Sequence, residues 1–199
     1  MTTRKLKELP LLSISDEGIE ARLAELAERD KADESALSDE ELFELASLNA
    51  FTNRDWDAGL TMERSAERTP NDPSVVLMWC YWAWVDPRAL CGGRGDNQFR
   101  EQIYDTLNRI SKTHPSRQGD VEFLLGLNMV NEDPEPDWTA IVQHYKRSTE
   151  LAPDWVANWQ SLGFALERLG LYSAAEESLR KALNNVSEPD SDWTIDRHN

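Results

Sequence analysis

Three stretches of this chain end alike, in a short polar run closed by proline: Ala66-Glu67-Arg68-Thr69-Pro70, Ser111-Lys112-Thr113-His114-Pro115 and Thr149-Glu150-Leu151-Ala152-Pro153. Proline just past a helix end stops it, because the residue lacks an amide donor and its ring collides with the preceding turn. Helix stops that recur at a similar interval predict a stack of helical hairpins. Each hairpin is too small to bury its apolar face alone and must pack on its neighbours.

The clearest unit begins after Pro153. It runs from Asp154 to Leu183 as two amphipathic segments of about three to four turns, which predicts an antiparallel helical hairpin. Asp154 is expected to cap the first helix and Gly170 to close it in a left-handed turn. Ser173, with Glu176 three residues later, predicts a capping box for the second helix. Within this unit Trp159, Leu162, Gly163, Gly170, Tyr172, Ala175, Leu179 and Ala182 fall in a fixed order. That order resembles the tetratricopeptide repeat, whose pattern runs tryptophan, leucine-glycine, tyrosine, alanine, a large apolar residue and alanine. Small residues at Gly163 and Ala175 would let the two helices approach closely.

Earlier units keep the register less faithfully. Leu42, Leu45-Ala46, Ala58 and Met62 occupy pattern positions, and Ser38 with Glu41 predicts another capping box. Asp72-Pro73 opens the next unit, where proline suits a first helical position. Trp79-Cys80 there replaces leucine-glycine, and Ile103, Leu107 and Ile110 carry its second helix. A third unit has Leu125-Gly126 and then Trp138, Ile141 and Tyr145. Pro70 to Pro115 spans 45 residues and Pro115 to Pro153 spans 38, against about 34 for an ideal repeat. The surplus falls at Asp86 to Asp96 and around Asn131 to Asp137, between the helices of a hairpin, where insertions are tolerated on the surface.

The expected fold is all-α: a right-handed α-α superhelix of about four hairpins (38–70, 72–115, 118–153 and 154–187). It is preceded by an N-terminal segment (1–37) and followed by a flexible acidic tail (188–199). In the N-terminal segment Ser15 to Arg29 reads as an amphipathic helix with Ile19, Leu23 and Leu26 on one stripe, and 30–36 as a polar linker. In the tail, Trp193 is expected to dock over the exposed edge of the final hairpin, since a terminal repeat needs covering.

Charge and composition narrow the function. With 21 Lys plus Arg against 37 Asp plus Glu, the formal charge is −16, which repels nucleic acid and anionic lipid. The expected partner is therefore another protein, through an apolar or a basic segment, with neither nucleic acid nor membrane. No apolar run approaches the roughly 18–20 residues of a membrane helix, and Arg4, Lys5 and Lys7 precede no apolar core of a secretory signal. Two cysteines, Cys80 and Cys91, make neither a disulfide framework nor a zinc site. The cytoplasm is the expected compartment.

The repeat resemblance implies where a partner would bind. In that family the first helix of each hairpin lines a concave groove, and the matching positions here include Phe43, Phe51, Leu77, Tyr81, Trp84, Phe123, Leu127 and Phe164, with Ser47, Val130, Gln160 and Glu167 beside them. The set is apolar and aromatic, which suits an extended or helical apolar segment of another protein. Two other readings stay open at this point: these side chains form core, or the N-terminal helix fills the groove. The carboxylate clamp by which related domains hold chaperone C-termini is absent, since Phe43, Ser47, Leu77 and Tyr81 stand in its places.

The expected function is accordingly a non-enzymatic adaptor or chaperone. The leading helix and apolar groove also resemble, in architecture only, the type III secretion chaperones of translocator proteins. An acidic immunity or inhibitor protein that neutralises a basic toxin or enzyme is a further alternative, carried by the charge. An exposed N-terminal helix would allow a homodimer. Catalysis finds little footing. His114, His144 and His198 lie apart, so no metal and no cofactor is expected. Cys91-Gly92-Gly93-Arg94-Gly95-Asp96 lacks the ending of a phosphate loop and reads as a loop insertion.

Overall fold

The computed structural model describes residues 16–52, 54–85, 96–130 and 136–185. Among these residues every regular element is helical, as expected, and helices next to each other in the chain pack in pairs. In chain order they are α1 (Asp16–Ala32), α2 (Asp39–Phe51), α3 (Asp55–Arg68), α4 (Pro73–Val85), α5 (Asp96–Thr113), α6 (Gln118–Val130), α7 (Trp138–Leu151), α8 (Val156–Arg168) and α9 (Tyr172–Asn185). The fold is an all-α set of tetratricopeptide-like helical hairpins. Contacts divide the chain into two compact units, residues 6–103 and residues 104–199 with 1–5. Helix α5 starts in the first unit and ends in the second, burying Ile103, Leu107 and Ile110.

In the unit of residues 6–103, α2 and α3 form a hairpin, with α1 against α2 and α4 against α3. The α2 start carries the expected capping box: the Glu41 amide donates to the Ser38 hydroxyl and the Ser38 amide to the Glu41 carboxylate. Asp72 accepts from the amides of Ser74 and Val75 at 2.8 and 3.3 Å, and Pro73 takes the first position of α4. Two donors that α4 cannot bond internally are thereby satisfied.

Helix α1 buries Ile19, Leu23 and Leu26, the stripe its periodicity marked. Arginines fasten it to the hairpin. Arg22 reaches Glu44 through two nitrogens at 3.1 and 2.8 Å, and Arg29 reaches Glu41 at 2.7 and 3.1 Å. Arg64 of α3 grips Asp30 through a pair of 2.8 Å bonds. Planar two-point pairing of this kind fixes orientation as well as proximity. It also explains why α1 runs on to Ala32, where the sequence suggests a linker from Asp30: that carboxylate is held on the helix by Arg64 instead of being solvated in a loop.

In the other unit α6 pairs with α7, α7 with α8, and α8 with α9. Two glycines let helices approach. A Cβ on Gly163 would stand 2.8 Å from the Leu179 side chain, and one on Gly126 would stand 2.8 Å from the Tyr145 ring. Tyr145 therefore fills, in the longer hairpin, the place Leu179 holds in the last one. Gly170 adopts φ 72°. Its amide donates to the Glu167 carbonyl and the Leu171 amide to Leu166, closing α8 with paired bonds around a left-handed residue.

Two expected caps are corrected here. Asp154 does not cap α8; Trp155 precedes the first turn, with no side-chain cap. Trp155 turns inward instead, its ring 4.6 Å from Phe123. Ser173 does not start α9, which begins at Tyr172 because the turn at Gly170 leaves no loop to spare. Its proposed partner Glu176 bonds Arg180 at 2.6 Å.

Candidate functional site

The six groove positions whose side chains are described separate by burial. Phe43, Leu77, Phe123 and Leu127 are buried, so as binding-surface residues these four are corrected to core. Phe123 shows the reason. It meets Trp155 and Tyr145 with ring centroids 4.6 and 5.8 Å away, an aromatic nest that occupies the space a guest would need. Tyr145, buried too, shares a hydrogen bond with the Ser161 hydroxyl, and burial raises its phenol pKa. Tyr81 is half-buried, edge-on to Trp82 at 5.7 Å. The side chains of Phe51 and Trp84 lie outside the described residues, as do most of the 86–96 segment with Cys91, and Trp193.

Phe164 is different: it is 49% exposed. Its ring meets Trp138 edge-to-face at 5.8 Å, and the Arg168 guanidinium lies 5.2 Å over the Trp138 ring. Trp138 is the first residue of α7, capped by Asp137, which accepts from the amides of Thr139 and Ala140 at 3.0 Å. Phe164 and Arg168 stand one turn apart on α8, so both reach the same ring. Gln160 is half-buried and Glu167 exposed along this edge. The result is a surface aromatic pair with a cation at one end.

The helices beneath it are held firmly. Asn158, fully buried, donates to the carbonyls of Ser148 and Ala152 at 3.3 and 3.2 Å, tying α8 to the end of α7. The Ser148 hydroxyl donates to the Gly119 carbonyl at 2.7 Å. Glu122 accepts from Gln118 and pairs with His144, each at 2.8 Å, with Arg147 at 3.3 Å. Arg117 pairs with the buried Asp120, whose pKa burial raises while Arg117 opposes the rise.

The sequence marks Trp138 only as part of the third unit's second helix and singles out neither Arg168 nor the outer side of α9. There Leu171, Tyr172, Leu179 and Leu183 are exposed, Tyr172 by 70% and Leu183 by 71%. The spacing of Tyr172, Leu179 and Leu183 marks one helical face, so a signal was present. Tyr172 and Leu179 enter the sequence reading only as positions of the repeat pattern.

None of this forms a metal site: among the described residues no group of three His, Cys, Asp or Glu side chains could hold an ion. Nor is any described helix long and apolar enough to cross a membrane.

No protein-family model matches the sequence, and no curated protein does either. Solved structures do resemble it. MamA (41 to its end) from Desulfovibrio magneticus RS-1 superposes with a TM-score of 0.58 at 16% identity, covering 87% of this chain and 89% of that one. A second MamA crystal structure gives 0.57 at 17% identity, over 85% and 89%. MamA MSR-1 gives 0.51 at 17%, over 85% and 92%. At such identities the likeness establishes the fold, that of a tetratricopeptide-like helical-repeat protein.

Proposed function

We propose that this chain is a non-enzymatic protein-interaction module that captures an apolar segment of another protein on the α7–α8 surface around Phe164, Trp138 and Arg168. The observation that carries this reading is the exposure of Phe164 against Trp138. Aromatic and arginine side chains are those most often found to dominate the binding energy of an interface. Here they sit on helices fixed by buried hydrogen bonds, so little ordering is left to oppose binding. Capture from the source cell, repeated with Phe164→Ala, tests it. A stoichiometric partner should be retained by the natural chain and lost by the variant, while far-UV circular dichroism stays unchanged. Undiminished capture by the variant overturns the reading.

The charge of −16 supports a second reading, a charge-steered inhibitor of a basic protein. The two separate by ionic strength. Binding on an apolar surface should change little with added salt, whereas charge-steered binding should weaken steeply.

A further inference from the structure

In a chain of formal charge −16, acidic neighbours for a surface arginine are plentiful. Arg22, Arg29, Arg64, Arg147 and Arg180 each pair with one. Arg168 does not. Among the described residues no carboxylate pairs with it, and its guanidinium is laid 5.2 Å over the Trp138 ring instead. The acidic residue next to that ring, Asp137, is turned to the amides of Thr139 and Ala140. The helix dipole favours a cation at the end of α8, but it does not explain the seat on the ring. Contact with a ring face leaves the N–H donors of a guanidinium open to an acceptor.

We infer that the segment captured at this surface carries an aspartate or glutamate one helical turn from its apolar anchor, and that this carboxylate pairs with Arg168. The inference rests on the reading of the Phe164 surface given above. Phe164 and Arg168 are neighbours one turn apart on α8, so their Cβ atoms stand about 5–6 Å apart. Anchor and acid on the guest need a matching separation, which in a helical guest means three or four residues. The planar fork of arginine meets a carboxylate through two parallel bonds. Trp138 already restricts the side chain, so less freedom is lost when the pair forms. A phosphate group fits less well, because phosphate readers bring several arginines together. Repulsion from the rest of the acidic chain is screened beyond about 8 Å at physiological salt, whereas a contact pair partly covered by an apolar guest is screened much less. One such pair adds only a shallow salt dependence to apolar binding.

Random peptides displayed on phage, selected in parallel on the full natural chain, on Phe164→Ala and on Arg168→Glu, test it. Both positions are exposed, and unchanged far-UV circular dichroism checks that the variants stay folded. The natural chain should select peptides with Asp or Glu three or four residues from a Leu, Phe or Trp. Phe164→Ala should lose them, and Arg168→Glu should select Lys or Arg at the acidic place. In a selected peptide, exchanging the acid for its amide should weaken binding to the natural chain about tenfold. The same exchange should leave binding to Arg168→Gln unchanged, the sign of a direct pair. Selected peptides that need Phe164 but show no acidic preference, or an amide peptide that binds equally well, overturn the acidic contact and leave the apolar surface standing. Peptides held equally by Phe164→Ala overturn both.

Discussion

Glu41 shows how much one half-buried side chain can do. Its carboxylate accepts from the Ser38 amide and from both terminal nitrogens of Arg29. Those bonds, Arg29 foremost, hold its pKa down from 4.5 to about 2. A carboxyl with a depressed folded-state pKa stabilises the fold above its ordinary value, and that contribution drains away as pH falls toward the folded value. The unfolding free energy of the natural chain should therefore drop between pH 4.5 and about 2 more steeply than that of Glu41→Gln. Chemical denaturation across that range measures it, and equal slopes would contradict the assignment. Residue-level signals of this kind were legible where the chemistry is local: the Ser38–Glu41 box and the left-handed Gly170 need only their neighbours. Asp154 and Ser173 were misjudged because cap chemistry competes with tertiary packing. Trp155 is pulled inward toward Phe123, and the tight turn at Gly170 starts α9 before Ser173.

Helices were the most readable level, since apolar spacing and proline stops mark them without reference to the rest of the fold. Less readable was which side of a helix ends up inside. Phe123 was assigned to a groove from its register, yet it sits between Tyr145 and Trp155. Nothing in a repeat pattern announces that two distant aromatics will converge on it. Phe123→Ala should consequently cost about 3–5 kcal/mol in equilibrium urea unfolding, the range for deleting a buried aromatic. A surface residue would lose no more than about 0.5 kcal/mol, and a loss that small would return Phe123 to the binding surface. The continuation of α1 to Ala32 has the same origin. Asp30 reads as linker until Arg64, far along the sequence, is brought beside it.

For the molecule as a whole, helical class and hairpin organisation were legible because repetition is a property of sequence. The candidate surface was only partly so. Of the six groove positions whose side chains are described, Phe164 is the one clearly presented to solvent, and its companions Trp138 and Arg168 emerge only once α7 and α8 are packed. Exposure is a difference between what a side chain could touch and what the fold supplies, and the second quantity is not written locally. The same holds for α9, whose outer stripe looks from sequence like ordinary packing surface.

The central claim is that the surface pair of exposed Phe164 and half-buried Trp138, rather than buried groove residues, receives the partner. Its most direct test is the hydrogen-exchange footprint of the chain with its captured partner bound. Protection should rise in peptides covering 138–143 and 158–168 and stay unchanged in those covering 39–51 and 73–85. A footprint confined to the latter pair, with none on α7 and α8, would contradict the account.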